Sequence, residues 1–322
     1  MISLLFRVAI LLGLYSFKLV HAQPVNSSHT VQSLKVTVLS TMLADAGIGE
    51  WGFAALVETD GRSLLFDTGA RPNTVLQNSV ELQIDLSNIT DVIISHNHDD
   101  HVGGLLTLRR ELSKKVPAAM IRAHVGEGIF YSRPDGTEEA NPMLAIKAEY
   151  TKLHGEFVQH TKPAEIFPGV WLTGPIPRKY PERNWSSLGK IKTEAGLVED
   201  TVPEDQALVI DTDKGLVVIS GCGHAGIVNT IEYARSFIRP SPIFAVLGGF
   251  HLFNATEKTL QWTGEKLQEA GLTNLLGGHC TGIEAVYRLR ELTGLDRKTA
   301  VVSAVGSSFS LDKGIDPLNL AK

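Results

Sequence analysis

Three histidines and two aspartates fall within one short run, His96-Asn97-His98-Asp99-Asp100-His101, in a chain that holds 11 histidines in all. Imidazole and carboxylate are the ligands that zinc and other divalent transition metals take. The cluster directly follows an apolar run, Asp91-Val92-Ile93-Ile94-Ser95, and precedes Gly103-Gly104. A turn from strand to helix there would aim His96 and His98 at one ion. Asp100 and His101 would face a second ion a few ångströms away, the arrangement of two-metal hydrolytic sites. The glycines are expected to let the backbone turn tightly behind the ligands. A polar turn that holds three histidines by chance is the competing account, and the scarcity of histidine makes it the weaker one.

Three later segments also end apolar runs with glycine and histidine. They are Gly221-Cys222-Gly223-His224, Gly248-Gly249-Phe250-His251 and Gly277-Gly278-His279-Cys280-Thr281-Gly282. Earlier, Leu65-Phe66-Asp67-Thr68-Gly69 places an aspartate after a strand-like run.

These residues carry a resemblance. Ser95 to Gly104 resembles the H-x-H-x-D-H signature of the metallo-β-lactamase superfamily, and Leu65 to Gly69 resembles its aspartate motif. The later Gly-His segments, with Glu204-Asp205-Gln206-Ala207-Leu208-Val209-Ile210, are similar to one branch. That branch is named for 7,8-dihydropterin-6-methyl-4-(β-D-ribofuranosyl)aminobenzene-5′-phosphate synthase. The likeness runs from about Leu34 to Leu311. It implies an α/β fold of four layers, αββα. It implies metal ligands at His96, His98, Asp100, His101, His224 and His279, and an Asp67 that hydrogen-bonds the ligand loop and orients its imidazoles. His251 would be a further ligand or an acid/base group beside the ions. Cys222 stands where the superfamily usually has a bridging aspartate, so it is either a ligand or a small buried residue. As a ligand, its thiolate would favour zinc over harder metals. Cys222 and Cys280 could also pair as a disulfide, which depends on their Cα separation. His124 follows the run Ala118 to Ala123, read as a strand, and is expected to begin a helix near the pocket. Among Arg122, Arg178, Lys179 and Arg183, we take Arg178 as the candidate for binding an anionic substrate group.

The elements that must position these groups are legible as apolar patterns. Leu34 to Ser40 alternates like a strand, and Ala54 to Glu58 with Ser63 to Phe66 reads as a hairpin turned at Asp60-Gly61. Asp91 to Ser95 reads as a buried strand and Gly104 to Ser113 as a helix. The second half repeats the theme, with a hairpin over Gln206–Thr212 and Gly215–Ser220. Strand, helix, strand and helix follow at Ile243–Leu247, Thr256–Ala270, Asn274–Leu276 and Ile283–Leu292, with a helix before them at Ala225–Phe237 and a closing strand at Val301–Ser303. Two sheets packed face to face with helices outside satisfy this order.

The chain has 322 residues and a formal net charge of −5. Residues 1–22 read as a signal peptide: Arg7, an apolar run from Val8 to Phe17, and Val20-His21-Ala22 as a small-x-small cleavage site. That run is too short to span a bilayer. Residues 23–32 read as a polar leader and 33–322 as one domain, with a loop-rich middle over 131–204 and short strands around Phe157 and Val170. A secreted or periplasmic location follows, with no stable membrane insertion after cleavage. The acidic balance argues against nucleic acid as a partner. Four Asn-x-Ser/Thr triplets begin at Asn26, Asn88, Asn184 and Asn254.

The expected activity is that of an exported hydrolase with a dinuclear centre. Its two divalent ions, zinc or alternatively manganese or iron, would generate a bound hydroxide that attacks a small-molecule ester, lactone, amide or phosphodiester. Asp100 or His251 would move the proton. The alternatives are a pterin-precursor synthase acting on a phosphorylated aminobenzene riboside, and a metal-binding protein without catalysis, its coordination closed by protein. Substrate and oligomeric state are not written in the sequence.

Overall fold

The computed structural model describes residues 29–320, so the expected signal segment and residues 23–28 of the leader lie outside the described residues. Two large sheets face one another. The larger runs Gly314–Asp316, Ser308–Ser310, Leu34–Ser40, Ala54–Thr59, Arg62–Phe66, Asp91–Ile93, Arg122–Gly126, Glu156–His160 in spatial order. The smaller runs Ala300–Val302, Asn274–Gly277, Ile243–Gly248, Gly215–Ser220, Ala207–Thr212, Val170–Leu172, Ala164–Phe167.

Side-chain alternation along each strand sorts the apolar residues into three interfaces. In Gly215–Ser220, Val217 and Ile219 point between the sheets, while Leu216 and Val218 point outward to helices. Between the sheets, Val36, Val38, Val57 and Phe66 meet Leu208, Ile210, Ile219 and Leu247. Outside the larger sheet, Leu65 and Val92 pack on Leu105 and Leu108 of helix Leu105–Leu112. Outside the smaller sheet, Val218 and Val246 pack on Ile231 of helix Ile227–Phe237 and Leu289 of helix Ile283–Thr293. The result is the four-layer αββα sandwich. Each fully buried aliphatic side chain contributes about 2 kcal/mol of transfer free energy.

The sandwich gathers loops at one end. Arg62–Phe66 and Asp91–Ile93 are parallel, as are Gly215–Ser220, Ile243–Gly248 and Asn274–Gly277. Their carboxyl ends lead into the segments of Asp67, His96, Cys222, His251 and His279. Open parallel sheets bind ligands at that edge.

Four expectations need correction. The strand read at Ala118 to Ala123 lies instead at Arg122–Gly126, and His124 sits inside it rather than starting a helix. The buried Arg109 guanidinium donates to the carbonyls of Pro117 and Ala119, and Met120 turns at φ +53°, so this stretch is a turn. The strand after Asp91 ends at Ile93, which frees Ile94 and Ser95 to lead into the ligand loop. The middle region contains a helix, Pro142–Lys152, capped by the Asn141 side chain accepting from Met143 N–H at 3.0 Å. The chain does not close at Val301 to Ser303: Ser308–Ser310 and Gly314–Asp316 return to the larger sheet beside Leu34–Ser40. Among the described residues, no helix is long and apolar enough to cross a membrane.

Candidate metal centre

The site begins with a buried carboxylate. Asp67 Oδ2 lies 2.7 Å from His101 Nδ1, and because an ionised carboxylate only accepts, Nδ1 carries the proton. Asp67 Oδ1 accepts from Ser95 N–H at 2.7 Å and Oδ2 from Ser95 Oγ–H at 2.7 Å. With its hydroxyl proton committed, Ser95 Oγ accepts from His96 Nδ1–H at 2.9 Å. His224 Nδ1 donates to the carbonyl of Asn184. The tautomers of His96 and His224 are therefore set by their partners, leaving both Nε2 atoms with lone pairs.

Those lone pairs face each other. His96 Nε2 is 3.2 Å from His224 Nε2. Burial, with the neighbouring His101 and His98 imidazoles, pushes His96 well below its ordinary pKa, and burial with His98 and His251 does the same to His224. Two neutral acceptors in contact have no proton to share, so the pair fits a cation between its nitrogens. The His98 ring completes this side, 4.5 Å from the His96 ring and 4.8 Å from that of His224. Burial also holds His98 down at about 4.

A second set lies alongside. His101 Nε2 is 3.1 Å from Cys222 Sγ and 3.2 Å from His279 Nε2, and Cys222 Sγ is 3.3 Å from His279 Nε2. Asp100 Oδ2 is 3.3 Å from His279 Nε2. Burial opposes charge on His101, but the Asp67 and Asp100 carboxylates outweigh it and raise this imidazole to about 9. This set therefore favours a positive charge. The donor atoms of Asp100, His101, Cys222 and His279 all lie within 4.8 Å of one another, as do those of His96, Cys222 and His224. Cys222 belongs to both groups. Burial raises its thiol well above the ordinary range in the metal-free protein.

Three residues of this centre have left-handed backbone: Asp67 at φ +57°, His251 at +51° and His279 at +48°. Such strain costs on the order of 1–3 kcal/mol per residue and persists where surroundings over-determine it.

The rim is aromatic. Trp51, 50% exposed, lies 5.0 Å from the His279 ring and 5.7 Å from Phe253. His251 packs 4.7 Å from the His224 ring and 5.3 Å from Phe253, and its buried Nδ1 has no partner among the described residues. A cavity of about 540 Å³ opens beside it, walled by Trp185, Trp262 and Lys258. A narrower pocket of about 250 Å³ joins Trp185 and His251 to His98 and His224.

The sequence profile of the metallo-beta-lactamase superfamily matches residues 52–236. The chain belongs to the metallo-beta-lactamase superfamily. A Methanocaldococcus jannaschii protein named 7,8-dihydropterin-6-methyl-4-(beta-D-ribofuranosyl)-aminobenzene-5'-phosphate synthase is 31% identical over 267 residues, 79% of this chain and 90% of that protein. The crystal structure of Tm1679, a metal-dependent hydrolase of the beta-lactamase superfamily, superposes with a TM-score of 0.69 at 28% identity and covers 86% of this chain and 98% of that one. Zinc-bound PqqB from Methylobacterium extorquens shares the fold at a TM-score of 0.50 and 17% identity, over 86% of this chain and 100% of that one.

Against this superfamily frame, His96, His98, Asp100, His101, His224, His279 and Cys222 converge, with Asp67 beneath them and His251 at the rim. Two expected substrate contacts are engaged elsewhere. His124 bonds Asp91 Oδ1 through Nε2 at 2.9 Å and pairs its Nδ1 with His160 Nε2 at 3.0 Å. Arg178 Nη2 donates to the carbonyls of Thr201 and Val202 at 2.6 and 2.9 Å, and its guanidinium stacks 5.4 Å from Trp185. It straps the loop that borders the pocket.

The glycine expectation also changes in kind. Gly103 has φ −59° and Gly104 −86°, so neither needs special backbone freedom. A Cβ at either would overlap the carbonyls of Ala70 or Thr68, so the requirement is close approach.

Sequence reasoning missed Ser95, Asn184 and Trp51. Asn184 drew notice only as a glycosylation triplet. Its side chain instead donates to Gly223 O at 2.9 Å, tying the middle region to the Cys222 loop. Nothing in local spacing marks these three.

Proposed function

We propose that this chain is a hydrolase that holds two divalent ions side by side and cleaves a small-molecule ester, lactone, amide or phosphodiester. The observation that carries the reading is the opposed Nε2 pair of His96 and His224 at 3.2 Å, with a second, anionic donor set sharing Cys222 next to it. His96, His98 and His224 would hold one ion, and Asp100, His101 and His279 the other, with the Cys222 sulfur within reach of both groups. A thiolate in the set favours zinc over manganese or iron. When bound, such a pair of ions lowers the pKa of water to about 7 and polarises the scissile acyl or phosphoryl oxygen.

The chain's own groups do the rest. Asp67 and Ser95 hold His101 and His96 in ligating tautomers. His251 stands between the ligand set and the cavity and would hold or pass a proton there. Trp51 and Phe253 limit water over His279 and offer an apolar face to the substrate. The N-terminal segment reads as an export signal and supports action outside the cytoplasm on a diffusible small molecule.

A second reading has one observation in its favour, the 31% identity to the named synthase. The test is to assay purified protein against nitrophenyl esters, a lactone and a bis-nitrophenyl phosphodiester, and separately with a phosphorylated aminobenzene riboside together with a 7,8-dihydropterin that carries a leaving group on its 6-methyl carbon. Hydrolysis that disappears on chelation and returns with zinc supports the hydrolase. Consumption of the riboside without hydrolysis would move the assignment to the synthase.

A further inference from the structure

The chain has two cysteines, and the fold brings them together. Cys280 Sγ is 3.2 Å from Cys222 Sγ and 3.6 Å from Cys222 O. Both are free and buried, 2% and 1% exposed. Their roles differ. Cys222 is shared by both candidate ligand groups, whereas Cys280 enters neither and groups only with Cys222 and His251. Cys280 follows His279 in a one-turn 3-10 helix, and Cys222 sits between Gly221 and Gly223, the latter at φ +63°.

We infer that Cys222 and Cys280 form an oxidation switch for metal binding. This inference rests on the two-ion reading above. Reduced, Cys222 would offer its sulfur to both candidate ligand groups. Oxidised, it is tied to Cys280 and neither ligand group is complete. The sulfurs would close from 3.2 Å to about 2.05 Å, a movement of about 1 Å.

The oxidant that suits this site is a hydroperoxide. Both sulfurs are buried, and a hydroperoxide is small enough to enter the pocket that reaches His98, His224 and His251. One sulfur of the pair, on losing its proton, attacks one peroxide oxygen, the O–O bond breaks, and the leaving hydroxide takes a proton as water. This gives a sulfenic acid. The other sulfur, losing its proton, then attacks the sulfenic sulfur, the S–S bond forms, and hydroxide leaves and is protonated to a second water. Two thiols are oxidised and one peroxide is reduced to two waters. A dithiol reverses the step by exchange. Metal and oxidant compete for the same sulfur, so each opposes the other.

The test treats full-length protein, metal-free and zinc-loaded, with hydrogen peroxide. Thiols are counted after denaturation, peptides are mapped by mass, and zinc content is measured after removal of excess metal. In the metal-free protein both thiols should vanish together, with a peptide linking Cys222 to Cys280. Zinc uptake should fall below half of the reduced value and return with dithiothreitol. Zinc at 100 times its Kd should slow the loss about 100-fold. Cys280→Ser and Cys280→Ala should bind zinc as the reduced wild type does and form no link. Thiols that both survive, a linked protein with full zinc uptake, or Cys280 variants that fail to bind zinc would each overturn the switch. The zinc content of untreated, reduced protein reads the two-ion site separately, so its failure is distinguishable from failure of the switch.

Discussion

Asp67 Oδ2 lies 2.7 Å from His101 Nδ1, and both side chains are fully buried. The same carboxylate bonds the backbone and hydroxyl of Ser95, which in turn holds His96. One aspartate thus orients an imidazole in each candidate ligand group. Asp67→Asn keeps the shape and removes the charge. It should lower metal affinity about 10–100-fold without unfolding the chain. Competition titration against a chromogenic chelator measures this, and an unchanged affinity would show that Asp67 does not tune the ligands.

The same contact sets a pH dependence in the metal-free protein. His101 is raised from 6.5 to about 9 in the fold. A raised histidine stabilises fully below the unfolded pKa and loses that contribution as pH rises through the folded one. Chelated protein should therefore lose stability between about pH 6.5 and 9, by up to about 3 kcal/mol. Urea unfolding at successive pH values checks the sign. Stability that rises across this window would contradict a charged His101.

Gly221 is confined by what lies against it. A Cβ there would stand 2.6 Å from Asp67 Oδ2 and overlap Ser95 Oγ. Gly221→Ala should cost about 1–3 kcal/mol and weaken metal binding together with stability. An alanine variant with unchanged unfolding midpoint and metal content would show that the loop has room to spare.

His98 lies beside His96 and His224 at the mouth of the pocket. Its replacement by alanine leaves the Asp67 network intact. His98→Ala should fold, lose at least about 100-fold in hydrolysis and retain less metal. Circular dichroism establishes the fold in the same sample. Full activity in a folded His98→Ala protein would sink the proposed mechanism.

Much of this was legible in the sequence because local patterns carry it. The cluster from His96 to His101 announces metal chemistry by residue type and spacing. The Asp60-Gly61 turn, with φ +44° and +78°, announces its hairpin. What is misread depends on side-chain contacts that the local pattern does not announce. Arg109 gathers carbonyls at Pro117 and Ala119 and displaces the following strand. Asn141-Pro142 was a readable helix start, yet the surrounding proline and charge suggested loop. Tyr150 and Met143, both buried, anchor that helix on the core. The resemblance places His124 near the pocket, but Asp91 and His160 claim its ring. The strand Ser308–Ser310 is short and finds its place by pairing with Leu34–Ser40 on one side and Gly314–Asp316 on the other.

The most direct test of the two-ion centre is the metal content of protein purified without added metal or chelator, read by elemental analysis. Two equivalents per chain, lost and regained together with hydrolysis, are expected from the paired donor groups that share Cys222. One equivalent or none, unchanged on adding zinc or manganese, would contradict the assembly of these loops around a pair of ions.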